Sequence, residues 1–546
     1  MDKKRSLLNV GISILSRILL LAAALFVRRL LIRCIGNEVN GLNSLYTSII
    51  GMLSVAELGV GSAIVYSMYR PIIDGDRRKV AALFGLYRKI YGVIGAVIFT
   101  AGLFVTPLLP GLIGDFDSLN VNVYVTFLLT LVSVTLSYLY SAKTSLIEAH
   151  KNNYITTGIL TAGRLLRYGL QVIAILVWRS YTAFLVCQII ETLVIWIMTE
   201  AAVRRLHGPV LTMRESVDPD TREEISRNVR AMFMHKIGTI LVNSIDSLII
   251  SGFIGVVILG KYSNYHLLAG VVAGTIALFF SPLTSIVGHL CAKGDPVEAE
   301  KYFHRFYCLN YILGLVSFLG YYVVIDNVVL LCFGSGQEVS RVIVFIITLN
   351  QFTQYMRKTP LLFRDASGTF YYDRWKPLAE GLANLILSLT FVTFFPEDYR
   401  VAGVIAATIA TTLLICDIVE PYVVFRHVFG KFPGLFYVRS YAYTGIFTAA
   451  LLVMTGIMSF LRTGSLFPVT GGRGGGDGIL QTGAGAGLTS GIPGILVGGC
   501  FSVLMSLIAL GLLALVDRGF RREVKALAVA GIALAATMKR NIFSHQ

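Results

Sequence analysis

The sequence predicts an all-α, polytopic membrane protein with about fourteen transmembrane helices. Three observations predict it. Apolar stretches of roughly 20 to 28 residues recur from Asn9 to Val516, the length that crosses a hydrocarbon core of about 30 Å. Charge is scarce and sits mostly between those stretches: 14% of residues are charged against 55% hydrophobic, and the mean hydropathy is +0.72. Most of the 47 Lys and Arg gather in alternate connections, which the positive-inside rule assigns to the cytoplasm.

Taken in order, the spans fall near 9–35, 41–69, 90–113, 120–142, 153–178, 181–203 and 229–256, then 261–290, 304–332, 339–363, 376–395, 401–425, 440–461 and 492–516. The cytoplasmic connections then include Arg70 to Lys89, Arg204 to Asn228, Lys293 to Arg305 and Arg364 to Trp375, with both termini cytoplasmic in a multi-pass arrangement. The first apolar stretch is too long for a cleavable signal and carries arginines, so it is expected to stay as an anchor. So many spans leave no sizeable soluble domain, and function is expected to lie in what the bundle binds or moves. A net charge of +16 suits contact with anionic lipid and needs no nucleic acid. The seven cysteines are scattered, form no CxxC pair and have no metal-ligand spacing, so they read as small packing residues, and no metal is expected.

The connection 204–228 lies midway through the first twelve helices and divides them into an N-terminal six-helix lobe (1–203) and a C-terminal one (229–439). Helices 13 and 14 occupy 440–516, with a glycine-rich external loop at 464–494 and a cytoplasmic tail at 517–546. The spacing IGx4Gx4Y occurs twice: Ile35-Gly36, Gly41 and Tyr46 recur as Ile254-Gly255, Gly260 and Tyr265. The same offset carries Asn9-Val10 onto Asn228-Val229, Ser44 onto Ser263 and Arg17 onto Lys236, which points to an internal repeat. Two repeated lobes around a central cavity are a transporter design, because one lobe can rock against the other about a midplane site. The glycine-rich segment holds too few apolar residues to order itself and reads as a flexible loop. A phosphate-cradling role would need a preceding strand, which is missing.

The run Phe363-Arg364-Asp365-Ala366-Ser367-Gly368, continuing through Asp373-Arg374-Trp375-Lys376-Pro377 to Glu380, resembles a cytoplasmic loop of Wzx-type polysaccharide flippases. These belong to the MATE-like (MOP) exporter superfamily. Gly41-Leu42-Asn43-Ser44-Leu45-Tyr46, Ala56-Glu57-Leu58-Gly59-Val60-Gly61, and His235-Lys236-Ile237-Gly238 with Asn243 and Asp246 extend the resemblance, which covers Ser6 to about Phe429. It implies translocation of an undecaprenyl-diphosphate-linked oligosaccharide to the outer leaflet of the cell membrane during capsule, exopolysaccharide or similar glycan assembly. A polysaccharide polymerase and other assembly proteins would then be partners. The chain would be a transporter and not an enzyme, with no cofactor.

Ionisable side chains at membrane depth cost a few kcal/mol each and so mark candidates for function. Arg17 lies about 12 Å into the first helix and Lys236 is its repeat mate, so the two could face one cavity and bind an anionic diphosphate, or could snorkel to the headgroups. Arg28, with Arg29 and Arg33, sits towards the external end of that helix, where it could snorkel or receive the diphosphate. Arg164 and Arg167 share a helix face and could line the cavity or pair with a carboxylate such as Glu191. For ion coupling or gating the candidates are Glu57, Asn243, Asp246, Asp417 and Glu420, serving a proton or sodium gradient or forming salt bridges to buried cations. The pairs Arg364/Asp365 and Asp373/Arg374 could latch the lobes or touch sugar, or form a solvated basic loop. Tyr262, Tyr265 and His266 read as an interfacial belt.

Three functions compete for such a chain. A lipid-linked oligosaccharide flippase suits intramembrane cations. A MATE-like cation-coupled drug antiporter would show a more acidic cavity than the first lobe supplies. A glycosyltransferase or polymerase of the same pathway would usually need large external loops or a catalytic carboxylate cluster, and no such cluster appears in the sequence.

Overall fold

The computed structural model describes residues 2–54, 60–114, 116–150, 152–213, 215–219, 223, 244–280, 283–463 and 491–529. These residues form helices and connections with no strand, as the all-α expectation requires. Nine helices among them are long and apolar enough to cross a membrane. They span Arg77–Leu112, Val123–Ala149, Asn153–Trp178, Tyr181–Thr212, Pro296–Phe333, Lys376–Phe394, Glu397–His427, Gly434–Phe460 and Ile495–Leu515.

The chain forms two compact units. One comprises Met1–Ser263, Cys332–Gly334 and Pro377–Val392, and the other Asn264–Leu331, Ser335–Lys376 and Thr393–Gln546. The first contains α1 (Asp2–Cys34), α2 (Asn37–Leu53), α3 (Val60–Ile73), α4 (Arg77–Val105), α5 (Val123–Ala149), α6 (Asn153–Ile173), α7 (Tyr181–Thr212) and α8 (Ser244–Phe253). Helix α5 packs against α4 and α7, and α6 packs against α1 and α7. Short polar side chains set where these helices begin. Asp76, Asn122 and Ser180 each accept the backbone N–H three residues on, supplying a partner that the first turn otherwise lacks.

Helix α9 (Val256–Phe280) leads into the second unit. There follow α10 (Leu283–Lys293), α11 (Pro296–Phe333), α12 (Arg341–Met356), α13 (Lys358–Ser367), α14 (Lys376–Phe394), α15 (Arg400–Thr411), α16 (Asp417–His427), α17 (Gly434–Thr463), α18 (Gly491–Val516) and α19 (518–529). Most of α14 belongs to the first unit. The single span expected at 339–363 is broken at Arg357 into α12 and α13. Within the second unit α12 packs on α15 and α13 on α16. Its core is aromatic. Phe303, fully buried, meets Phe363, Phe425, Phe429 and Phe436 edge-on at 5.2–5.6 Å. Such pairs contribute about 0.5–1.5 kcal/mol each beyond burial, which matters where lipid removes the hydrophobic drive between helices.

The repeat read from the sequence recurs in the backbone. Helices α1 and α8 end alike: the N–H groups of Ile35 and Gly36 donate to Leu31 O, and those of Ile254 and Gly255 donate to Ile250 O. Gly36 (φ 139°) and Gly255 (φ 120°) then turn the chain through a region that side chains rarely enter. Helices α2 and α9 start at equivalent residues and touch reciprocally within the first unit. A Cβ on Gly41 would lie 1.8 Å from Val256 O, and one on Gly260 would lie 2.8 Å from Asn37 O. Asn37 Nδ2 donates to Val257 O (2.7 Å) and Asn40 Nδ2 to Gly260 O (3.0 Å), so side-chain amides close the contact. The register also holds at a pair that the motif did not include. Gly75 and Gly294 both have φ 72°, and Asp76 and Asp295 cap the helices that follow.

Candidate functional site

The intramembrane charges fall into three settings. In the first unit, Arg28 on α1 is half-buried. Its Nη2 donates to Ser263 Oγ, its guanidinium lies 5.8 Å from the centre of the Phe333 ring, and its Nε is buried without a hydrogen-bond partner. Among the described residues its partners are thus a hydroxyl and a ring, with no carboxylate. Arg17, lower on the same helix, is exposed.

The second setting is the α6–α7 contact. Arg167 Nη1 lies 3.1 Å from Glu191 Oε2 and its guanidinium stacks over Tyr168 at 4.7 Å, while Arg164 is exposed. Pairing with Glu191, one of the two readings left open by the sequence, is the one observed for Arg167. Lys143 and Arg204 meet a second carboxylate, Glu200, at the far end of α7, an ion pair that the sequence reading did not anticipate.

The third setting lies in the second unit. Glu420 on α16 is fully buried; Arg357 Nη2 reaches its Oε1 at 2.7 Å and Lys376 Nζ reaches the same oxygen at 2.6 Å. Arg357 Nη1 donates to Gln354 Oε1 (2.7 Å), and Gln354 Nε2 donates to Thr412 Oγ1 (2.8 Å). Thr412 opens a π turn over Thr412–Cys416, and Pro421 follows Glu420. Both features disturb the helical ladder, since a π turn shifts its register and proline offers no N–H. Tyrosines of α17 bond carbonyls there: Tyr441 donates to Leu413 O and Tyr437 to Ile418 O, each at 2.7 Å. Glu420 is therefore a salt-bridged acid, as one of the sequence readings allowed. Arg357 and Lys376 were not among the candidate ionisable residues. Asp417 is buried on the same helix, as is Asp246 on α8. Glu57, Lys236 and Asn243 lie outside the described residues, as does the glycine-rich loop up to residue 490.

Two expectations are corrected. The run 364–375 is not wholly a solvated basic turn: Arg364, at the end of α13, is 5% exposed and Asp373 2%, while Tyr371, Tyr372 and Trp375 stay exposed. Arg364 Nη1 meets Asp373 Oδ2 at 2.7 Å, and its Nη2 meets Asp365 Oδ1 at 2.7 Å. Burial pulls the Arg364 guanidinium down, but Asp365 and Asp373 outweigh it and hold its ionisation above the ordinary arginine range. Arg374 stacks on Tyr371 at 4.0 Å, and Tyr372 stacks on His427 at 3.7 Å. Tyr265 is likewise no interfacial ring. It is fully buried and donates to Asp326 Oδ1 at 3.1 Å, which also pairs with Arg341. A carboxylate partner supplies what a headgroup would otherwise supply.

No family model matches the chain, and no curated protein matches it in sequence. Solved structures match in fold. The lipid II flippase MurJ in an inward closed conformation gives a TM-score of 0.62 at 12% identity, over 94% of this chain and 100% of that one. An inward-facing multidrug resistance MATE family transporter of the MOP superfamily gives 0.56 at 11% identity, over 72% of this chain and 92% of that one. The chain has the fold of these membrane proteins.

Proposed function

We propose that this protein is a flippase that moves an undecaprenyl-diphosphate-linked oligosaccharide from the inner to the outer leaflet of the cell membrane by alternating access. One observation carries the reading: the likeness to the lipid II flippase spans the whole of that structure and 94% of this chain, against 72% for the multidrug transporter. Arg28 supports it, being a cation with buried, unspent donor capacity on a helix whose charges could face the cavity. In this reading Arg17, Arg28, Arg164 and Lys236 attract the diphosphate, and Arg167 is held by Glu191. Asp246, with Asn243, is first choice for a proton or sodium site. Both termini are cytoplasmic, and a glycan polymerase takes the product outside.

The test is translocation of a fluorescent undecaprenyl-diphosphate oligosaccharide in proteoliposomes, with imposed proton and sodium gradients. Wild type should move the lipid and Arg17→Ala/Lys236→Ala should not. If folded wild-type protein moves none of several glycans but extrudes cationic drugs, the cation-coupled drug antiporter takes its place. The second fold likeness keeps that antiporter as the alternative.

A further inference from the structure

A cavity of about 660 Å³ opens in the second unit, and no residue assigned above to transport lines it. Four candidate spans end around it. Its lining comes from the first turns of α11 and α17, the connection that follows α16, and α19, which follows α18. One end of four spans marks one membrane face, so the cavity lies at headgroup depth.

Its walls are basic. Lys301, Arg305, Lys431, Arg439 and Arg522 line it, with His304 among them. The carboxylates present do not match them one for one. Glu300 takes Lys431 at 2.6 Å and also lies 3.9 Å from His304; Glu523 is shared by Arg305 (3.5 Å) and Arg522 (3.4 Å); Asp517 takes Arg439 at 3.0 Å. The Arg305–Glu523 contact is Nε to Oε2, an ion pair too long for a good hydrogen bond, and neither of these buried atoms has another partner among the described residues. Phe425 and Phe436, of the buried aromatic cluster around Phe303, also line the cavity. The rim is apolar and uncovered: Val297 is 69% exposed, Phe432 73% and Leu435 78%.

A basic cup with an apolar lip at headgroup depth complements a molecule that is anionic at one end and apolar beside it. We infer that this cavity binds the headgroup of an anionic membrane phospholipid, with its acyl chains lying against Phe432 and Leu435. A soluble phosphate ester would satisfy the cations and leave the lip uncovered; a zwitterionic lipid would cover the lip and leave the cations unbalanced.

The experiment uses the full-length protein in detergent, where no transport occurs, so its outcome is independent of the flippase reading. Thermal unfolding is followed with added phosphatidylglycerol, phosphatidylcholine or glycerol 3-phosphate, for wild type and Lys301→Gln/Lys431→Gln/Arg522→Gln. These three side chains are exposed or largely so, and the readout is the shift that lipid causes, not the absolute midpoint. Phosphatidylglycerol should raise the wild-type midpoint more than phosphatidylcholine does, and the variant should bind it roughly 100-fold more weakly. Phe432→Ala/Leu435→Ala should also lower the affinity for the lipid. Equal phosphatidylglycerol shifts in wild type and the lysine/arginine variant would overturn the site. An equal response to glycerol 3-phosphate would overturn the lipid.

Discussion

Gly36 and Gly255 close the same turn with the same hydrogen bonds, yet the helices that lead into them differ in charge. By the shared register Arg28, Arg29 and Arg33 of the first copy stand where the second has Ser247, Leu248 and Gly252. What recurs is what the backbone demands: a glycine for the left-handed turn, another where two helices touch, and a tyrosine to bond the structure beyond. What differs is where one copy carries something that the fold does not require. The second half has its own cluster, Arg357–Glu420–Lys376, and there both cations reach one buried carboxylate. Arg28 is held by a hydroxyl and a ring. A salt-bridged cluster ties helices together; a cation with spare donors can receive an anion.

The sharpest break of this contrast is Glu420→Ala. It would leave Arg357 and Lys376 buried without their carboxylate, and removing one member of a buried ion pair costs about 3–5 kcal/mol. The expected outcome is a large fall in the thermal midpoint and in the yield of monodisperse protein. Wild-type stability with lost transport would mean that the cluster is a working part and not a clamp. Next comes Gly41→Ala. Its Cβ would strike a backbone carbonyl that cannot move aside, so overpacking of about 2–3 kcal/mol is expected, with a smaller loss for Gly260→Ala. Equal losses at both positions would show that the two sides of the reciprocal contact are equally tight.

How far the sequence reveals this follows from what each feature depends on. Spans are legible because bilayer thickness sets their length, and α14, at Lys376–Phe394, starts where the pattern puts it and ends one residue earlier. The repeat is legible because glycine at a positive φ has few substitutes. Its continuation at Gly75-Asp76 and Gly294-Asp295 is not legible, because a match of two residues does not stand out from chance. The Arg167–Glu191 pair is legible since successive helices of a bundle tend to be neighbours. The Glu420 cluster is not. Glu420 lies 63 residues beyond Arg357 and 44 beyond Lys376, and a π turn that no local pattern announces precedes it. The Arg364–Asp373 lock is hidden for the opposite reason: a polar loop that folds on itself has the same composition as one in water.

The mildest change tests the other side of the contrast. Arg28→Ser gives the first copy the residue that the second copy already carries at that position. Since the guanidinium spends little of its capacity on the protein, its loss should alter the apparent unfolding free energy by no more than about 1 kcal/mol. Translocation should fall by about tenfold or more, because an interaction of about 1.4 kcal/mol with the diphosphate is enough for that. Arg28→Lys should recover only part of the rate, as lysine keeps the charge and loses the planar fork that grips two phosphate oxygens. Full transport by the serine variant would make Arg28 a snorkelling anchor and leave the difference between the two copies without a functional role at this position.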